Sequence, residues 1–170
     1  LDPITEYAKA KNETCRLLIE YASKKEIEWQ WIRVFTVYGE KQKDSWLIPS
    51  MIKKCLDPSI KEMETTKGEQ TYSYLYSFDF AKAISSVVGA KGKSGIYNIS
   101  SSIPTMLKDL FETIKQKTHS KIDFKPVLPY REYQSMLIMG NSNKFVHAFG
   151  EYEQTSLNTG LDNIIRTIHK

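Results

Sequence analysis

The sequence predicts an α/β fold, on three observations. A long amphipathic stretch from about Thr5 to Lys25 runs straight into Trp29 to Tyr38, a run rich in aromatic and β-branched residues. A helix feeding directly into a buried strand is the signature of helices layered on a sheet. Strand-like and helix-like segments then keep alternating to the end of the chain. The composition, 41% hydrophobic and 26% charged over 170 residues, supplies a core of ordinary size for such a layer structure.

Each element has a local reason. In the first helix Ala8, Cys15, Leu18, Ile19 and Ala22 form a 3- and 4-spaced apolar stripe, with Pro3 and Thr5 suited to its entrance. Gly39 ends the strand that follows. After a polar loop from Glu40 to Ser45, Leu47 to Leu56 reads as a short helix that tolerates Pro49 in its first turn. Asp57 and Pro58 stop it. Lys61 to Thr66 and Thr71 to Tyr76 read as strands of a hairpin turning at Lys67, Gly68 and Glu69. Asp79 to Val88 is helical with Asp79 as its cap, Ile96 to Ser100 is a strand, and Met106 to Ile114 is a helix capped by Thr105. Ile122 to Phe124 is a minor strand, Pro126 to Arg131 a loop, and Ser142 to Phe149 a short helix. Ser156 to Ile168 closes the chain as an amphipathic helix with Leu157, Leu161, Ile164, Ile165 and Ile168 inward.

Charge and sulfur narrow the function classes. The net charge of +4 is lysine interleaved with glutamate along the helices, a solvated surface rather than a basic block. Four scattered arginines, Arg16, Arg33, Arg131 and Arg166, argue against a nucleic-acid partner. No apolar run approaches the ~20 residues of a membrane span, so no membrane partner and a cytoplasmic location are expected. Cys15 and Cys55 lack metal-type spacing and are expected as buried free thiols. His119, His147 and His169 stand far apart without a second ligand at i+3 or i+4 and are expected at the surface or at helix ends, so no metal site is expected.

One short pattern can carry chemistry. Tyr7 and Lys11 form Tyr-x-x-x-Lys at a helix entrance, and residues four apart share a helix face. An ammonium beside a phenol favours the phenolate, drawing a hydroxyl of ordinary pKa about 10 toward proton exchange at neutral pH. Tyr21 and Lys25 repeat the pattern in the same helix, and a chain rich in both residues produces it by chance.

Context separates the two. Tyr7 and Lys11 are followed by Arg33-Val34-Phe35-Thr36-Val37-Tyr38-Gly39, then Trp46-Leu47-Ile48-Pro49, then Gly68-Glu69-Gln70 leading to Asp79. Gly95-Ile96-Tyr97-Asn98-Ile99, Arg131, Thr155-Ser156-Leu157 and Gly160-Leu161 come after them. In this order the segments resemble the extended short-chain dehydrogenase/reductases, the NAD-dependent nucleotide-sugar epimerases, dehydratases and 4-ketoreductases. The resemblance implies the C-terminal part of a Rossmann-like fold plus a small mixed α/β substrate-binding region. Residues 1–45 would end the Rossmann-like domain, and residues 46–170 would form mainly the substrate region, with some segments returning to the Rossmann sheet.

The resemblance also implies roles. Tyr7 and Lys11 would be catalytic, Tyr7 exchanging a proton with a sugar oxygen and Lys11 holding the nicotinamide ribose. Tyr7, Lys11, Val34 and Phe35 would border an NAD or NADP cofactor. Thr36, Leu47, Tyr72 and Arg131 would face a nucleotide-sugar substrate. Tyr21, near the wrong end of the helix, is expected in the core or an interface. A homodimer would form through the Tyr-bearing helix, with Leu17, Leu18 and Tyr21 at the contact.

The sequence departs from the family in telling places. The glycine cluster that seats a pyrophosphate on a helix N-terminus is not found, nor is the upstream Ser or Thr of the catalytic set. The chain is therefore expected to be a C-terminal portion of an enzyme, inactive by itself. Thr36 stands where many relatives carry Asn, and Tyr72-Ser73 stand where Arg-Asp is common, which leaves Arg131 as the candidate phosphate partner. Glu40 replaces a proline and Cys15 a glutamate, both read as drift. From residue type alone, Arg33 is expected to pair with a buried carboxylate or carbonyl. The competing function is a non-catalytic module that keeps the fold to bind a sugar nucleotide or a partner.

Overall fold

The computed structural model describes residues 3–152 and 154–168, so His169 lies outside the described residues. The opening helix α1, Glu6–Lys24, starts at Thr5, whose hydroxyl accepts a hydrogen bond from the Ala8 amide at 3.1 Å. Only Cys15 and Ala22 of its residues are buried. The long apolar run behind it is two strands. β1, Gln30–Val34, pairs in parallel with β5, Gly95–Ile99, while β2, Thr36–Tyr38, pairs in parallel with β4, Thr71–Tyr76. The switch falls at Phe35, whose amide still reaches the Ile99 carbonyl while its ring presses on Gly140, where a Cβ would lie 2.4 Å from Cε2.

β4 is the hub. Its C-terminal half pairs with β2, and its N-terminal half pairs with antiparallel β6, Pro104–Met106, and parallel β8, Leu137–Ile138. The expected hairpin at Gly68 does not form. β3, Glu62–Glu64, pairs instead with β7, Asp123–Lys125, and Gly68 takes a left-handed φ of 69° at the turn between β3 and β4.

The main core joins β4 to helices α2, Leu47–Leu56, α4, Leu107–Lys117, and α6, Leu157–Ile168. Ile52, Leu110, Ile114 and Leu161 are fully buried there. Gly160 lets α6 pass over Tyr38, since a Cβ would lie 2.2 Å from the phenol oxygen. A second cluster joins Leu75 and Ile99 to α3, Ser77–Val87, and α5, Asn143–Phe149. Cys55 is buried in the main core. His119 and His147 are exposed, at the end of α4 and in the last turn of α5.

Two expected caps are otherwise employed. Thr105 lies inside β6, and α4 starts beyond it. Asp79 is the third residue of α3, is buried, and accepts bonds from the Thr155 amide and hydroxyl at 2.5 and 3.0 Å. It ties the approach to α6 onto α3 instead of capping its own helix.

Candidate functional site

α1 and β1 enclose a groove of about 500 Å³. Tyr7, Lys11 and Cys15 line it from the helix, and Ile32, Arg33 and Val34 from the strand. The helical repeat brings Tyr7 and Lys11 to one face, as their spacing predicts, and the Lys11 ammonium lies 5.8 Å from the Tyr7 ring centroid. Tyr7 is 73% exposed, so its hydroxyl is free to meet a ligand entering the groove. Among the described residues β1 pairs only with β5, so its other edge is open.

Arg33 corrects an expectation. Its half-buried side chain lines the groove wall and makes no hydrogen bond or ion pair among the described residues. The groove therefore carries two cations, from Lys11 and Arg33, beside one phenol. Sequence alone did not single out Arg33 for the site, because an arginine on an apolar strand is more often paired with a carboxylate. Tyr21 is 59% exposed and so is not in the core. Leu17 and Leu18 are exposed as well.

Of the other expected site residues, Val34 lines the groove beside Tyr7 and Lys11. Phe35 and Thr36 follow it where the chain crosses to the β2–β4 sheet, and Thr36 pairs in register with Tyr74. Leu47, exposed at the start of α2, Tyr72 and Arg131 stand apart from the groove lining. Tyr72 and Arg131 belong together. The Tyr72 hydroxyl donates to the Ser135 carbonyl at 2.9 Å and accepts from Gln134 Nε2 at 2.7 Å, both in the segment just after Arg131. Burial pushes this phenol up from its ordinary range, against a smaller lowering by Gln134. Arg131 is exposed, and its guanidinium makes no hydrogen bond or ion pair among the described residues.

Glu40 is more than drift. Its carboxylate accepts a hydrogen bond from the Tyr76 hydroxyl, and Asn163 Nδ2 donates to the same phenol oxygen at 3.1 Å. Burial first, and then the Glu40 contact, push the Tyr76 phenol up. The loop after Gly39 is thereby fastened to β4 and α6.

Three glycines, Gly89, Gly92 and Gly95, do stand at the spacing of a dinucleotide turn, which the sequence reading passed over. They join the end of α3 to β5, the reverse of the strand-to-helix order that presents amides to a pyrophosphate. The Gly92 amide is taken by Glu28, and Lys93 reaches the Ala148 carbonyl. This loop is not a phosphate cradle. Among the described residues, no group of three His, Cys, Asp or Glu side chains could hold a metal ion. No described helix is long and apolar enough to cross a membrane.

Comparison with known proteins fits this arrangement. A model of the NAD dependent epimerase/dehydratase family matches residues 1–100, which include α1, the groove, β4 and β5. The chain belongs to the NAD-dependent epimerase/dehydratase family. It is 27% identical over 138 residues to a CDP-abequose synthase of Salmonella muenchen, covering 79% of this chain and 46% of that relative. Its fold is similar to that of a UDP-glucose 4-epimerase of Thermotoga maritima solved with UDP-glucose, with a TM-score of 0.86 and 22% identity, covering 99% of this chain and 54% of that one. A UDP-glucuronic acid 4-epimerase of Bacillus cereus, in complex with UDP-glucuronic acid and NAD, superposes with a TM-score of 0.83 at 20% identity over 99% of this chain and 54% of that one. The chain thus spans about half the length of these relatives. The mixed α/β architecture with parallel strand pairs is that of this epimerase/dehydratase fold.

Proposed function

We propose that this chain is the substrate-side portion of an NAD(P)-dependent nucleotide-sugar epimerase, dehydratase or 4-ketoreductase, with Tyr7 as its proton-transfer residue. The observation that carries the proposal is that Tyr7 and Lys11 open onto one groove with Val34, next to the strand that leads to Thr36. When bound, the dinucleotide would supply hydride exchange at a sugar carbon. The Tyr7 oxygen would take or give the proton of the neighbouring sugar hydroxyl or ketone. Lys11 would stabilise the charge on that oxygen and hold the nicotinamide ribose. Tyr7, Lys11 and Val34 would border this end of the cofactor, whereas the loop through Gly89, Gly92 and Gly95 does not suit its pyrophosphate. The seat for the rest of the dinucleotide, and the third catalytic residue, are assigned to sequence outside these residues.

Substrate recognition falls to Thr36, Leu47 and the exposed guanidinium of Arg131, which would meet the substrate phosphates. The exposed Leu17, Leu18 and Tyr21 of α1 would pack against a second copy as an isologous helix pair. The test is to give the complete protein NAD or NADP with UDP-, dTDP-, CDP- and GDP-sugars and follow the sugar by NMR. Conversion of at least one substrate is expected. Binding without conversion of any would instead identify a non-catalytic sugar-nucleotide module. Sedimentation of the complete protein at micromolar concentration is expected to show a dimer, and a monomer would remove the assembly proposal.

A further inference from the structure

A phenol and a neighbouring carboxylate hold the loop that presents Arg131. Both come from one short stretch, Glu69 to Tyr72. On one side of Arg131, the Tyr130 hydroxyl donates to Glu69 Oε2 at 2.7 Å. On the other, Gln134 closes a turn through its amide, 3.0 Å from the Arg131 carbonyl, and passes its side-chain amide to the Tyr72 hydroxyl. That hydroxyl in turn donates a hydrogen bond to the Ser135 carbonyl, and the Thr71 amide donates to the Met136 carbonyl at 2.8 Å just before β8 begins. The turn contains Tyr133 in the left-handed region at φ 59°, a conformation that a non-glycine residue keeps only when its surroundings hold it.

We infer that Tyr72 is a positioning residue for Arg131: it does not meet the ligand, but its hydroxyl clasps Gln134 and Ser135 so that the unpaired guanidinium stands ready for an anionic group. The inference rests on the proposal that Arg131 binds nucleotide-sugar phosphates, and it gives Tyr72 a different role from the substrate contact expected from sequence. The phenol's single proton and one of its acceptor positions are used within the loop. A guanidinium held in place loses less freedom on binding than one on a loose loop.

A double-mutant cycle in the complete protein tests it, with Tyr72→Phe, Arg131→Ala and the pair. UDP-glucose, CDP-glucose and dTDP-glucose serve as calorimetric probes, and hydrogen exchange of residues 130–137 reports on the loop without ligand. Tyr72→Phe is expected to speed exchange in the loop and weaken the best-bound probe roughly 3- to 10-fold, the worth of one or two neutral hydrogen bonds. In the Arg131→Ala background it is expected to change affinity no further. An equal loss in both backgrounds would mean that Tyr72 touches the ligand itself and would overturn the inference. Unchanged loop exchange in Tyr72→Phe would overturn the clasp. Faster exchange together with normal affinity in both single variants would support the clasp and reject Arg131 as the phosphate partner, which separates the two failures.

Discussion

The two halves of the molecule are built on different terms. Around β4 the apolar faces of α2, α4 and α6 close on one another, and Ile52, Leu110, Ile114 and Leu161 lose all contact with water. Along α1, by contrast, two of nineteen residues are buried. Its flanks carry exposed Tyr7, Leu17, Leu18 and Tyr21 beside a surface chain of ion pairs running Glu13, Arg16, Glu20 and Lys24. Exposed ion pairs of this kind add little stability. The apolar faces around β4 are covered by this chain's own side chains, whereas α1 keeps one face for the groove and another uncovered. The part that holds itself together is therefore distinct from the part proposed to do the chemistry.

Unfolding measurements can break that comparison. Leu110→Ala, at a fully buried site, should cost about 2–5 kcal/mol in denaturant unfolding, since it empties a packed volume. Arg16→Ala, on the exposed face of α1, should leave the unfolding midpoint unchanged. A comparable loss from both would mean that α1 carries the fold as much as the core does.

Binding sharpens the functional side. Arg131→Ala should weaken nucleotide-sugar affinity by about 1.5–3 kcal/mol, the worth of a charge-assisted contact, without altering stability. Calorimetry checks the first statement and a thermal melt the second.

The smallest effect probes the core through pH. Burial holds the phenols of Tyr38 and Tyr74 far above their ordinary value, and neither buried hydroxyl has a hydrogen-bond partner among the described residues. In the unfolded chain such a phenol ionises near pH 10, before the folded one does. Its contribution to stability is thus complete below about pH 10 and is lost as the pH climbs from there toward the folded value. Tyr38→Phe removes one such proton. Stability at pH 7 should change by less than about 1 kcal/mol, and the decline above pH 10 should become shallower by up to about 1.4 kcal/mol per pH unit. Unfolding curves across pH 8–11 would show it.

Much of this was legible locally. β4 and α2 fall where their patterns place them, because period and flanking turn residues are written within each segment. Pairing partners are not. The run from Trp29 to Tyr38 has no glycine or proline to mark its change of sheet at Phe35, and the strands around Gly68 look like a hairpin although each prefers a distant partner. β8 is too short to carry a pattern. Asp79 sits where a cap belongs and is claimed by Thr155, 76 residues away. At the site, Tyr7 and Lys11 were legible because helical spacing alone joins them. Arg33 in the groove and the grip of Tyr72 on Gln134 and Ser135 depend on tertiary contacts that no local pattern records.

The central claim is that position on α1, and not the Tyr-x-x-x-Lys pattern itself, makes Tyr7 the proton-transfer residue. Steady-state kinetics of Tyr7→Phe and Tyr21→Phe in the complete protein, on a nucleotide sugar that the parent converts, test it most directly. Tyr7→Phe should lower turnover by roughly 10²–10⁴-fold while leaving dinucleotide binding nearly intact, because it removes only the acid–base oxygen. Tyr21→Phe should turn over normally. Near-normal turnover by Tyr7→Phe, or an equal loss from both, would contradict the account.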